Sequence, residues 1–258
     1  ALAGVARPVL MATYWLNLRT GGLSPTGFHA VNLGLHVLTA LALHALLVRT
    51  LGLVGPRFGL RTAATRGLAA AAALLWGCHP LTTSAVTYIS QRAEVMMGLF
   101  YVLTLHCAVG GMLSGRGTAA RRRWYAGAVF FCFLGMGAKE VMLTAPLAVL
   151  LFDRMLAAGS FKRSLVRHGV LYAGLFSSWI VLALLMVAKQ SGDAQHHYAW
   201  TGTSPLAYLY TQAGVILHYL RLAFVPHPLC LDYSWPVKTA LGEAWPELLA
   251  VTMLLGAV

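Results

Sequence analysis

Apolar residues run along this chain in long blocks, separated by short polar stretches. The clearest block is 28–48, FHAVNLGLHVLTALALHALLV. Next come 67–81, an alanine-rich run ending at Cys78-His79-Pro80, and 94–113, EVMMGLFYVLTLHCAVGGML. The blocks 124–138 and 141–152 are separated only by Lys139-Glu140; then follow 169–188, 205–225 and a last block beginning near Glu247. None alternates with period two, so the pattern predicts helices rather than barrel strands. A membrane helix needs about 20 apolar residues, and shorter blocks suit helices that pack on one another or border a polar cavity. The expectation is an all-α, polytopic membrane protein with about seven to eight membrane helices, forming a single transmembrane domain over 1–258.

Composition narrows the class. Of 258 residues, 59% are hydrophobic and 10% charged, with a mean hydropathy of +0.71. Soluble domains carry about 25% charge. These values exclude an ordinary soluble enzyme and a disordered chain. The chain opens at Ala1 and closes at Val258 within an apolar run, and is read as an internal piece of a longer protein.

The net charge of +12 invites a nucleic-acid reading, but its distribution argues otherwise. Twelve of nineteen basic residues fall in three loops, 49–66, 114–123 and 153–168, where Asp153 is the lone acid. Everything else is close to neutral. Cationic alternate loops are the positive-inside signature, and they place these three on the cytoplasmic side of the membrane. On the opposite face fall 1–27, 79–93, the 139–140 turn and 189–204. Were 124–152 one span, loops 114–123 and 153–168 would lie on opposite faces, so Lys139-Glu140 is expected to be a true turn. The basic loops also suit anionic lipid headgroups.

Within 205–225, Ser204-Pro205 predicts a helix start. Gln212, His218, Arg221 and several tyrosines make this block polar for a span. It is expected to lie as an interfacial amphipathic helix inside a long non-cytoplasmic loop, 189–246, with a crossing helix as the alternative. The four cysteines form no metal-spaced cluster, and Cys107 and Cys132 are expected to be buried thiols. His196-His197 is a weak metal signal, and no metal is expected. His29 and His36 share a helix face and are expected to make interhelical hydrogen bonds.

Ionisable residues at span ends are functional candidates. Arg92, Lys139 and Arg221 each abut an apolar block on the non-cytoplasmic face, and together suit a phosphate. The competing reading pairs Arg92 with Glu94 and Lys139 with Glu140. His79 reads either as a helix stop or as a cavity-lining group.

Several segments in order, GGLSPTGFHAVNLGLHVL, HPLTTSAVTYISQRAE, GMGAKEVMLTAPLAVLLFDR and SPLAYLYTQAGVILHYLRLAFVPHPLCLDYSWP, resemble bacterial membrane proteins that carry tetratricopeptide repeats. They are similar to the transmembrane and tetratricopeptide O-mannosyltransferases of eukaryotes. The repeats themselves do not occur in this chain. The resemblance implies a C-type glycosyltransferase, moving a sugar from a polyprenyl-phosphate carrier to a hydroxyl of an exported protein on the non-cytoplasmic face. The donor lipid is the only cofactor-like group implied. Arg92, Lys139 and Arg221 would hold its phosphate, while His79, Gln91, Glu94, Asp232 and Tyr233 would line the site. Glu94, Glu140 and Asp232 are the weak candidates for the base that inversion requires. Two alternatives stay open. One is an inactive subunit that kept the fold and packs in a larger membrane complex; the other is a protein that handles the carrier lipid without transfer.

Overall fold

The computed structural model describes residues 7–192, 204–230 and 233–256. Among them every regular element is helical. The chain divides into two compact units, 1–192 and 193–258.

Among its described residues the first unit holds nine α-helices. Helices α1 (Pro8–Gly21) and α2 (Pro25–Val54) each start on a proline, whose missing N–H costs nothing there. Helix α3 (Thr62–Gly77) turns back against α2, and the short α4 (Thr83–Thr87) leads through a 3-10 turn into α5 (Arg92–Leu113). Helix α6 (Ala119–Met136) is capped by the Thr118 hydroxyl, which accepts from the Arg121 amide at 3.2 Å. The break expected at Lys139-Glu140 is present: Lys139 is extended, a 3-10 segment covers Glu140–Thr144, and α7 (Ala145–Asp153) follows. Helices α8 (Phe161–Arg167) and α9 (Gly169–Gly192) complete the unit.

Cross-helix contacts fix the directions. Arg92 at the start of α5 reaches Phe28 and Asn32 near the start of α2, and Arg49 late in α2 donates to the His106 carbonyl in α5 at 3.2 Å. These two helices therefore run parallel. Helix α6 runs back along α5. A Cβ at Gly111 would collide with the Tyr125 ring, and one at Gly110 with Arg49, so glycine lets the helices meet at that end. The three basic loops consequently share one end of the unit.

Helix α5 is central. Of its apolar stretch 61% is buried, against 17–33% in the other long helices. The core joins Leu105, Ala108 and Val109 of α5 to Ala128 and Cys132 of α6, Val149 of α7, and Leu171 and Leu175 of α9. Cys107 and Cys132 are buried as free thiols, and Cys132 Sγ lies 3.3 Å from Ser178 Oγ.

One expectation needs correcting. Among the described residues four segments, not seven or eight, are long and apolar enough to cross a membrane: Pro25–Phe58, Ile89–Leu113, Glu140–Ala158 and Gly169–Val187. Helix α3 has 16 residues, about 24 Å at 1.5 Å per residue, short of a ~30 Å hydrocarbon core. Helix α6 spends its first turns on Arg121, Arg122 and Arg123, which leaves a short apolar remainder.

The second unit pairs α10 (Pro205–Phe224) with α11 (Leu241–Gly256). The Ser204 hydroxyl accepts from the Ala207 amide at 3.2 Å, the N-cap expected from Ser204-Pro205. Helix α10 is too polar to rank with the four spans, and α11 carries Glu243, Pro246 and Glu247. Lys238 ties the connection to α11, donating to the Glu243 carbonyl at 2.7 Å and to Glu247 Oε1 at 2.5 Å. Residues 193–203, with His196 and His197, lie outside the described residues.

At the basic end, Asp153 is fully buried. Its Oδ2 accepts from His168 Nδ1 and from the Tyr172 hydroxyl, both at 2.7 Å. This joins the end of α7 to the start of α9. Asp153→Ala strips both donors of their acceptor and is expected to cost on the order of 3 kcal/mol, whereas Tyr172→Phe removes one bond and costs about 1 kcal/mol. Thermal unfolding of the purified protein in detergent measures both. Equal, small losses would show that the cluster does not hold α7 to α9.

Candidate functional site

At the end opposite the basic loops, polar side chains from α1, α2, α5 and the 139–140 turn converge. Arg92 is 0% exposed. Its Nε donates to Asn32 Oδ1 at 2.8 Å and one terminal nitrogen donates to the Phe28 carbonyl at 3.1 Å. The guanidinium carbon lies 4.5 Å from the centroid of the Tyr14 ring and 5.4 Å from that of Phe28. The other terminal nitrogen is buried without a hydrogen-bond partner. The Tyr14 hydroxyl donates to the Ile89 carbonyl at 2.9 Å. Burial raises the Tyr14 phenol above its ordinary range, with the Arg92 cation acting against that. An arginine enclosed this way positions helices, and its cation is already shared among two acceptors and two rings.

The two flanking ion pairs connect elements distant in sequence. Lys139 pairs with Glu94 of α5. Arg7, just before α1, holds Glu140 through both carboxylate oxygens, at 2.9 and 3.2 Å. Neither Arg92–Glu94 nor Lys139–Glu140 forms a direct pair. Burial, and then the Arg7 cation, hold the Lys139 ammonium below the ordinary lysine range. Glu140 opposes that shift, and contact with the Glu94 carboxylate works in the same direction as Glu140.

Beside Glu94 lies a cleft of about 210 Å³ between α2, the end of α3, α4 and α5. Trp76, Leu81, Ala85 and Val95 make it mostly apolar, while His36, Thr39, Thr82 and Glu94 contribute polar groups. His36 stacks on Trp76 at 5.0 Å and its Nε2 donates to the Gly77 carbonyl at 2.9 Å. His29 Nδ1 reaches the Val86 carbonyl at 3.3 Å. Both histidines thus make the interhelical bonds expected of them.

The remaining candidates separate. His79 follows the end of α3 and caps the start of the 3-10 turn Pro80–Thr82, its Nδ1 accepting from the Leu81 amide at 3.2 Å. Gln91 is half-buried in the turn that leads into α5. Neither lines the cleft. In the second unit Arg221 donates to the His227 carbonyl at 3.0 Å. The Tyr233 hydroxyl donates to the Pro228 carbonyl at 3.0 Å and accepts from the Cys230 amide at 3.1 Å, bracing its own loop. Asp232 lies outside the described residues. Among the described residues no cluster of His, Cys, Asp or Glu suits a metal ion.

Sequence reasoning placed Arg7 and Tyr14 on this face without giving them partners, and missed Asn32 and Trp76. One signal was available. Phe28, Asn32, His36 and Thr39 recur every three or four residues in α2, and the last three form a buried polar stripe on an apolar helix.

No protein-family model and no solved structure matches the chain. Curated proteins do. The chain is 28% identical over 254 residues to protein O-mannosyl-transferase Tmtc2 of Drosophila melanogaster, covering 94% of itself and 25% of that protein. It is 26% identical over 215 residues to human protein O-mannosyl-transferase TMTC4, covering 78% of itself and 29% of the relative. Over a shorter stretch of 97 residues it is 37% identical to human protein O-mannosyl-transferase TMTC1. The chain thus spans 25% of the length of Tmtc2 and 29% of that of TMTC4, and matches 10% of TMTC1.

The geometry ranks the charges at this end by burial. Arg92→Lys keeps the charge but loses the planar fork that serves both Asn32 and Phe28, and is expected to cost about 3 kcal/mol of stability. Arg7→Gln breaks a half-exposed pair and is expected to cost less than about 1 kcal/mol. Unfolding of both variants in one detergent checks the order; the reverse order would remove Arg92 from its anchoring role.

Proposed function

We propose that this chain is the membrane part of a protein O-glycosyltransferase. It takes a sugar from a polyprenyl-phosphate carrier and passes it to a hydroxyl of an exported protein, on the face opposite the basic loops. The observation that carries this reading is the likeness, along 94% of the chain, to a protein named as an O-mannosyltransferase. The cleft beside Glu94 supports it. Inversion at a sugar carbon needs a carboxylate to take the acceptor proton, and among the described carboxylates of this end Glu94 is the one that borders a cleft. Glu140 is engaged by Arg7.

In this reading Glu94 is the base, and the acceptor hydroxyl enters beside it among Thr82, His36 and Trp76. Lys139 takes the donor phosphate. Lys139 then sits between two anions, the base and the departing phosphate, and screens one from the other. Arg92 supports the site from behind by fixing the start of α5, two residues from Glu94. Mannose is the sugar suggested by the relatives' names. The basic loops are cytoplasmic in this arrangement.

The second reading is a membrane subunit that kept the fold and lost the chemistry. The observation favouring it is that Arg92 and Lys139, two of the three expected phosphate ligands, already have protein partners.

The test is transfer of radiolabelled mannose from polyprenyl-phosphate mannose to exported proteins by the purified full-length protein. Label on protein is expected, with Glu94→Gln lowering the rate about 100-fold or more while the protein stays folded, the lower range for loss of a general base. Transfer unchanged in Glu94→Gln would remove Glu94 as base. No transfer by a folded wild type would favour the subunit reading.

A further inference from the structure

The basic end of the first unit holds a built cavity. Loops 114–123 and 153–168 meet there, with the Arg121 guanidinium donating to the Arg167 carbonyl at 2.9 Å. A cavity of about 560 Å³ opens beside that contact, edged by Arg116, Lys162, Arg163 and Arg167 over a wall of small apolar side chains. No carboxylate lines it. Asp153, the one acid of these loops, is buried and turned to His168 and Tyr172. Four cations thus face one space without a counter-charge. Their mutual repulsion falls when an anion enters, and arginine forks match phosphate oxygens.

Two further observations say which anion. Apolar side chains stand exposed on the same elements: Met155 is 67% exposed, Val166 80% and Val170 83%. Phe161 and Leu165 of α8 are exposed as well, with the Arg154 guanidinium 4.6 Å from the Phe161 ring centroid. Cations interleaved with exposed apolar groups, at the ends of helices able to cross a membrane, fit the boundary where lipid phosphates lie above hydrocarbon. A soluble phosphate would leave those apolar side chains in water. From this juxtaposition we infer that the cavity is a binding site for an acidic phospholipid, its headgroup phosphate held by Arg116, Lys162, Arg163 and Arg167 and its acyl chains against α8 and the start of α9. The charge count favours a lipid bearing two phosphates. The site lies at the opposite end of the unit from Glu94 and does not depend on the transferase reading.

The experiment is native mass spectrometry of the full-length protein, titrated with cardiolipin, with phosphatidylcholine, and with inorganic phosphate as competitor. Cardiolipin is expected to bind at least tenfold more tightly than phosphatidylcholine and to resist millimolar phosphate. The triple variant Arg116→Gln/Lys162→Gln/Arg163→Gln is expected to lose at least tenfold in cardiolipin affinity. The matched control Arg57→Gln/Arg61→Gln/Arg66→Gln, with the same charge removed from the third basic loop, should lose less than twofold. A photoreactive cardiolipin on the unaltered protein should place adducts within 151–170. Equal losses in the two variants, adducts concentrated elsewhere, or displacement by inorganic phosphate would each overturn the proposal.

Discussion

The enclosed guanidinium of Arg92 sets the arrangement of the first unit. A cation without exposure is tolerated only where its charge is shared, and the Asn32 side chain, the Phe28 carbonyl and the faces of Tyr14 and Phe28 share it. These partners come from α1 and α2, and Arg92 itself opens α5. One side chain therefore brings the middle of α1 and the beginnings of α2 and α5 to one level, and α2 and α5 must run parallel. With α5 fixed, α6 returns along it and the Lys139-Glu140 turn lands beside Glu94. The neighbouring ion pairs are half-exposed and individually weak, so they choose the local register rather than hold the helices together.

That hierarchy gives Glu94 an unusual setting. It follows a rigid anchor by two residues, its carboxylate is met by a lysine from a different hairpin, and it borders an apolar cleft. A carboxylate with one cationic partner keeps its other side open to the cleft. Glu140 contrasts with it, since Arg7 covers both its oxygens. Burial and pairing, more than residue type, separate a carboxylate free to act from one that ties down the chain.

Much of the helical plan was legible in the sequence. The block expected at 205–225 is helix Pro205–Phe224, capped by Ser204, and the break at Lys139-Glu140 lies where charge placement required it. The partners of the charged residues were not legible. Nearness in sequence suggested Arg92 with Glu94 and Lys139 with Glu140. On a helix, residues two apart point to nearly opposite sides, so Glu94 faces away from Arg92. In extended backbone, successive side chains also diverge, and Lys139 is extended. Each residue therefore paired across the bundle, where no local rule reaches. The number of spans was overread for a related reason. An apolar block marks a helix but does not measure its length, and α3 and α6, which pack on α2 and α5, are too short or too charged to count as spans.

The two ends of the unit resolve charge in opposite ways. At the Arg92 end Arg7, Arg92 and Lys139 each meet an acceptor, an aromatic face or a carboxylate from another element. At the other end Asp153 is withdrawn into the protein by His168 and Tyr172, which removes the sole acid from the loops around it. Burying that carboxylate does two things at once. It fastens α7 to α9, and it leaves Arg116, Lys162, Arg163 and Arg167 uncompensated around a cavity. Cationic loops are expected at the cytoplasmic ends of membrane helices simply to set orientation. Orientation alone, however, does not require two such loops to converge on one space, nor the nearest acid to be turned away from it. An anion supplied from outside the chain would balance the charge there, and the exposed apolar side chains of α8 favour one that arrives with hydrocarbon attached.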